Sequence, residues 1–132
     1  MAETLTMQQF VQQHGITIAV RLIDENPHMT DMPAGSTHWK CTLRHQGRQL
    51  TASFSQGPAI SQEPTADDVL GCLASDAAGF DSADGFEDWA SGYGYDTYSR
   101  KAERTYNLVK TSAGKLRRFL GDLYQSALQA EW

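Results

Sequence analysis

The chain has 132 residues, 40% of them hydrophobic and 20% charged, a balance that suits one packed core rather than a disordered segment. At this length about 68% of the unfolded surface can be buried, so a single domain over residues 1–132 is expected. The formal net charge of −5 argues against a general nucleic-acid binder held by phosphate contacts.

The apolar runs, such as Ile16 to Val20, fall far short of the roughly 20 residues that span a bilayer. Met1 to His14 shows no basic start followed by an apolar block, so a cytoplasmic rather than secreted or membrane-bound protein is expected. Cys41 and Cys72 lie far apart without a C-x-x-C pattern, which points to reduced thiols.

Charge is unevenly spread. Glu63, Asp67, Asp68, Asp76, Asp81, Asp84, Glu87, Asp88 and Asp96 follow one another with no lysine or arginine between them. Arg100, Lys101, Arg104, Lys110, Lys115, Arg117 and Arg118 come next, opposed over that span only by Glu103.

In chain order, Thr4 to His14 reads as a short helix in which Thr6 caps the start with Gln9 three residues on, and Gly15 stops it. Ile16 to Ile23 is β-branched in partial alternation and predicts a strand. His28 to Thr37, with Pro33 and Gly35, has neither period and reads as an exposed loop. Trp39 to Leu43 and Leu50 to Phe54 flank a turn containing Gly47, which predicts a hairpin. With the preceding strand it makes a three-stranded antiparallel sheet.

Thr65 and Asp68 form a capping box after Pro64, and Val69, Leu70, Leu73 and Ala77 recur at helical spacing up to Gly79. A shorter helix is expected from Ser82 or Asp84, with Glu87 three residues after Asp84, through Phe86 and Trp89 to Gly92. Ala102, Tyr106, Val109, Ala113, Leu116, Leu120, Leu123 and Ala127 alternate four and three apart, which predicts one long amphipathic helix that Gly121 can interrupt. The fold class is therefore α+β: a three-stranded antiparallel sheet packed against helices, with a long C-terminal amphipathic helix. The apolar stripe of that helix either packs on the domain's own core or pairs with a second copy.

Chemistry-bearing patterns are sparse. His38, Cys41 and His45 share a strand, but residues three apart on a strand point to opposite faces, and tetrahedral zinc needs four convergent ligands. No G-x-S-x-G elbow or P-loop occurs, and Gly92-Tyr93-Gly94 lacks the third glycine of a dinucleotide fingerprint. No enzyme activity, metal or cofactor is expected. The tract from Phe86 to Tyr98 mixes carboxylates with aromatics, a composition suited to binding. Phe86 and Trp89, with Tyr93 or Tyr95 as a further candidate, are expected to pin the short helix to the core, and Tyr95 and Tyr98 stay open as contact residues.

Asp68 to Gly79, Phe86-Glu87-Asp88-Trp89 and Tyr93 to Tyr106, together with Asn26-Pro27-His28-Met29 and His38-Trp39-Lys40-Cys41, resemble a family of small proteins encoded by bacteriophages and prophages, most of unassigned role. The resemblance covers most of the chain and carries over no catalytic residue. It implies a setting inside a bacterial host and a partner that is a host protein or nucleoprotein complex, such as a CRISPR effector. In that setting an acidic surface of Asp84, Glu87, Asp88, Tyr95, Asp96 and Tyr98 would imitate the charge of DNA and occupy a basic groove. The alternatives are a phage accessory protein that dimerises through the last helix, and a nucleic-acid binder using Arg100, Lys101, Arg104, Lys115, Arg117 and Arg118.

Overall fold

The computed structural model describes residues 5–23, 35–58, 60, 62–97 and 99–131. Its elements run α1 (Met7–His14), β1 (Thr17–Ile23), β2 (Thr37–His45), β3 (Arg48–Gln56), α2 (Ala66–Ser82), α3 (Phe86–Gly92), α4 (Arg100–Leu120), a 3₁₀ turn (Gly121–Leu123) and α5 (Tyr124–Gln129). The α+β class and the three-stranded antiparallel sheet follow the sequence pattern. Asn26 to Met29, and most of the expected loop at 28–37, lie outside the described residues.

The sheet is a meander in the order β1-β2-β3. Its two pairings have unbroken register, with Val20 opposite Cys41 and Cys41 opposite Ala52. Gln46 and Gly47 close the second hairpin with φ of 48° and 79°, the two positive values of a type I′ turn. Glycine meets that demand at no steric cost, whereas Gln46 adopts it against the preference of a side chain. Alternation puts Cys41, Leu43 and Leu50 into the core. Lys40 and Thr51 lie on the opposite face, where Thr42 and Thr51 sit across from each other with hydroxyl oxygens 3.4 Å apart.

Helix starts obey local chemistry. The Gln9 amide donates to Thr6 Oγ1 at 3.1 Å while the Thr6 amide donates to Gln9 Oε1 at 3.0 Å. The same reciprocal box joins Thr65 and Asp68, satisfying amides that would otherwise be orphaned. Gly15 ends α1 in the left-handed conformation.

Helices α2 and α3 differ from the sequence reading at their boundaries. α2 continues through Gly79 to Ser82, because a mid-helix glycine costs only about 1 kcal/mol and the extra turn brings Phe80 against Tyr106. α3 begins at Phe86 behind Gly85, without a side-chain cap. Asp84 does not cap it; its own amide donates to the Asp88 carboxylate at 3.0 Å. The last helical run breaks at Gly121, the interruption the sequence allowed, where a φ of 55° suits glycine.

The core lies between the sheet and α1, α2, α4 and α5. Phe10, Leu43, Leu70, Leu116 and Leu120 fill it, each worth about 1.5–3 kcal/mol in apolar burial. Of the long-helix stripe, Ala102, Ala113, Leu116, Leu120 and Ala127 are buried within this chain. The first and last described segments meet: the Glu131 amide donates to the Leu5 carbonyl at 2.8 Å and Met7 donates back to Glu131, forming a parallel bridge between Thr6 and Glu131.

Candidate interaction surface

α3 is a seven-residue helix, too short to hold itself together in water, so its position rests on aromatic packing. Trp89 is 4% exposed and stacks on both Tyr95 (5.4 Å between centroids, 12°) and Tyr106 (5.3 Å, 21°). Phe86 also stacks on Tyr106 at 10°, and Phe80 tilts against that ring. Offset and stacked aromatic contacts of this kind add about 0.5–1.5 kcal/mol each beyond area burial. Phe86 and Trp89 thus pin α3 to α4.

Asp84, Glu87 and Asp88 are exposed around the start of this pinned helix, and Asp96 is exposed beyond its end. Among the described residues no ion pair joins Asp84, Glu87 or Asp88 to a cation. Glu87 and Asp88 sit in the first turn of α3, where unpaired amides favour negative charge. Tyr95 is half-buried and committed to its stack on Trp89, and its amide donates to the Ala90 carbonyl at 2.8 Å. Tyr98 lies outside the described residues. Among the described residues the exposed aromatic of this lobe is Tyr93, 54% accessible, which the sequence offered only as a pin for the short helix. Its ring rests against α2 at Gly79, where a Cβ would fall 2.0 Å from the Tyr93 hydroxyl.

Asp81, also part of the acidic block, holds contacts within the fold. Tyr124 donates its hydroxyl to Asp81 Oδ2 at 2.7 Å, and Arg117 pairs with Oδ1 at 3.4 Å. The Arg117 guanidinium also lies over the Tyr124 ring, 5.0 Å from its centroid. Burial first, and the Asp81 hydrogen bond second, push the Tyr124 phenol up to about 12. One arginine of the expected basic face is therefore committed to the fold.

The remaining cations divide by helical position. Arg100, Arg104, Lys115 and Arg118 are exposed and fall within about 60° of arc on α4 at 100° per residue. Lys101 is exposed further round the helix and has a contact of its own.

The histidine and cysteine candidates do not converge. His38 Nδ1 lies 2.7 Å from Ser55 Oγ on the outer face of the sheet, whereas Cys41 and His45 point into the core. His45 packs edge-on to Phe119. Among the described residues no group of three or more His, Cys, Asp or Glu could hold a metal ion, and no helix is long and apolar enough to cross a membrane.

No protein-family model matches this chain, and no significant match was found among curated proteins or solved structures.

Proposed function

We propose that this is a non-enzymatic binding protein that uses the acidic lobe around α3 to occupy a basic, nucleic-acid-handling surface on a host bacterial protein or nucleoprotein complex. The observation that carries the reading is the display of Glu87 and Asp88 on, and Asp84 just before, a helix pinned by the Trp89, Tyr95 and Tyr106 stack. Preorganised carboxylates lose little entropy on docking, and their field steers encounter with a positive groove. The resemblance to phage-encoded proteins supplies the setting, and inhibition of a defence complex such as a CRISPR effector is its concrete form.

The test is DNA binding by a reconstituted CRISPR effector complex titrated with this protein. Inhibition that weakens with added salt and disappears in a folded Glu87→Lys/Asp88→Lys variant is the expected result. Undiminished inhibition by that variant, or none by the native chain, would overturn the reading.

A second reading rests on the ridge of Arg100, Arg104, Lys115 and Arg118, a spacing that could follow a phosphate backbone. Direct DNA binding whose logarithm falls linearly with that of salt, and whose slope drops by about one for each lysine or arginine removed, is its signature.

A further inference from the structure

β3 is an edge strand of the sheet, with no strand beyond it among the described residues, and it packs against α4. In a two-residue hairpin the residues flanking the turn exchange hydrogen bonds, and bonded pairs then alternate along the ladder. Arg48, Leu50, Ala52 and Phe54 accordingly bond to β2, so the amides and carbonyls of Gln49, Thr51 and Ser53 point outward. Each offers one donor and one acceptor. Natural sheets blunt such an edge with a lysine, a proline or a bulge. Gln49, Thr51, Ser53 and Ser55 are neutral, and the β2–β3 register has no bulge.

A cleft of about 670 Å³ runs along this edge. Leu50, Thr51, Ala52 and Ser53 all line it; four consecutive strand residues point to alternate faces, so the cleft reaches both sides of the β3 edge. Ile23 of β1 and Lys40 of β2 carry it onto the outer face of the sheet. Leu73 of α2 and Leu108 and Val109 of α4 supply an apolar far wall, and Leu108 is 58% exposed. A second depression of about 410 Å³ shares Leu50, Thr51 and Lys115 and continues the cleft towards Arg48 and Arg118. Lys40, Arg48, Lys115 and Arg118 thus line the groove against one carboxylate, Asp76.

From these features we infer that the groove between β3 and α4 binds an extended acidic segment of a partner protein, which adds to the sheet as a fourth strand. Main-chain bonds to Gln49, Thr51 and Ser53 would hold its backbone. Alternate apolar side chains would rest on Leu73, Leu108 and Val109, and carboxylates would meet Lys115, Arg118 and Arg48. Strand addition with side-chain pockets for specificity is an established mode of peptide capture. This surface is separate from the α3 lobe and stands or falls without it.

The probe is a fluorescein-labelled octapeptide alternating valine and glutamate, measured by anisotropy, alongside a valine and lysine counterpart. The glutamate peptide is expected to bind at least tenfold more tightly than the lysine one. Methylating its alternate backbone amides should weaken it tenfold or more, as should Lys115→Glu/Arg118→Glu. Thr51→Pro removes an outward donor without touching the β2 ladder and should abolish binding; if that variant misfolds, the N-methyl peptide tests the same contact. Absence of binding, equal affinity for both peptides, or insensitivity to N-methylation overturns the proposal. So does a concentration-dependent dimer that survives Lys115→Glu/Arg118→Glu and vanishes on Thr51→Pro, because a second copy would then occupy the edge.

Discussion

Tyr124 donates a 2.7 Å hydrogen bond to Asp81, a residue 43 positions earlier, and so fastens α5 to the end of α2. With Arg117 on the other carboxylate oxygen, an acid from the negative block and a base from the positive block meet beside a buried phenol.

The phenol is raised from 10 to about 12, so the folded state holds its proton more tightly than the unfolded one. The associated stability is fully present below pH 10 and is lost as pH rises from 10 to 12. At about 1.36 kcal/mol per pKa unit it amounts to about 3 kcal/mol. Tyr124→Phe should remove this alkaline dependence, which urea unfolding at pH 9 and pH 11.5 will show; an unchanged slope in the variant would break the link to Tyr124.

Thr65→Ala removes the hydroxyl that receives the Asp68 amide and should cost about 1 kcal/mol. Chemical denaturation measures it. A loss below a few tenths would mean that packing of Val69 and Leu70 holds the first turn of α2 without the cap.

Gly79→Ala would ordinarily favour a helix by about 1 kcal/mol. Here the new methyl falls 2.0 Å from the Tyr93 hydroxyl and 3.0 Å from its ring, so Tyr93 must leave α2. The expected outcome is an intact fold with altered tyrosine and tryptophan fluorescence, since Tyr93 also tilts against Trp89 at 5.3 Å. Unaltered emission together with increased stability would contradict this contact.

The two thiols should separate under alkylation. Cys41 is fully buried and its thiol is pushed up to about 11 by that burial, whereas Cys72 is exposed. Local desolvation and the Asp76 carboxylate one turn later still raise Cys72 above its ordinary value, so it reacts through a small thiolate fraction. Mass spectrometry after iodoacetamide at pH 8 should find one slow modification, on Cys72, and a second only in denaturant. Early labelling of Cys41 would refute the burial.

Most of the sheet and the helix starts were legible because their causes are local. Thr6 with Gln9 and Thr65 with Asp68 act over three residues, and alternation alone separates Cys41 from Lys40. The α3 lobe was legible in composition but not in roles. Which tyrosine stacks on Trp89 depends on where α4 carries Tyr106, so Tyr95 turns out packed while Tyr93 is exposed. The Asp81 and Tyr124 pair spans too much chain for any pattern to announce it. The β3 groove left one faint trace, the run of neutral Gln49, Thr51, Ser53 and Ser55 on the strand's outward positions.

The bridge between Thr6 and Glu131 bears on how the molecule comes together. The meander is built from neighbouring segments, so its loops close early and at little entropic cost. The joining of Met7 to Glu131 spans nearly the whole chain and can reward the polypeptide only after everything between is ordered. Strand pairing should therefore gain protection from hydrogen exchange early in refolding, and the Met7 and Glu131 amides should be among the last to do so.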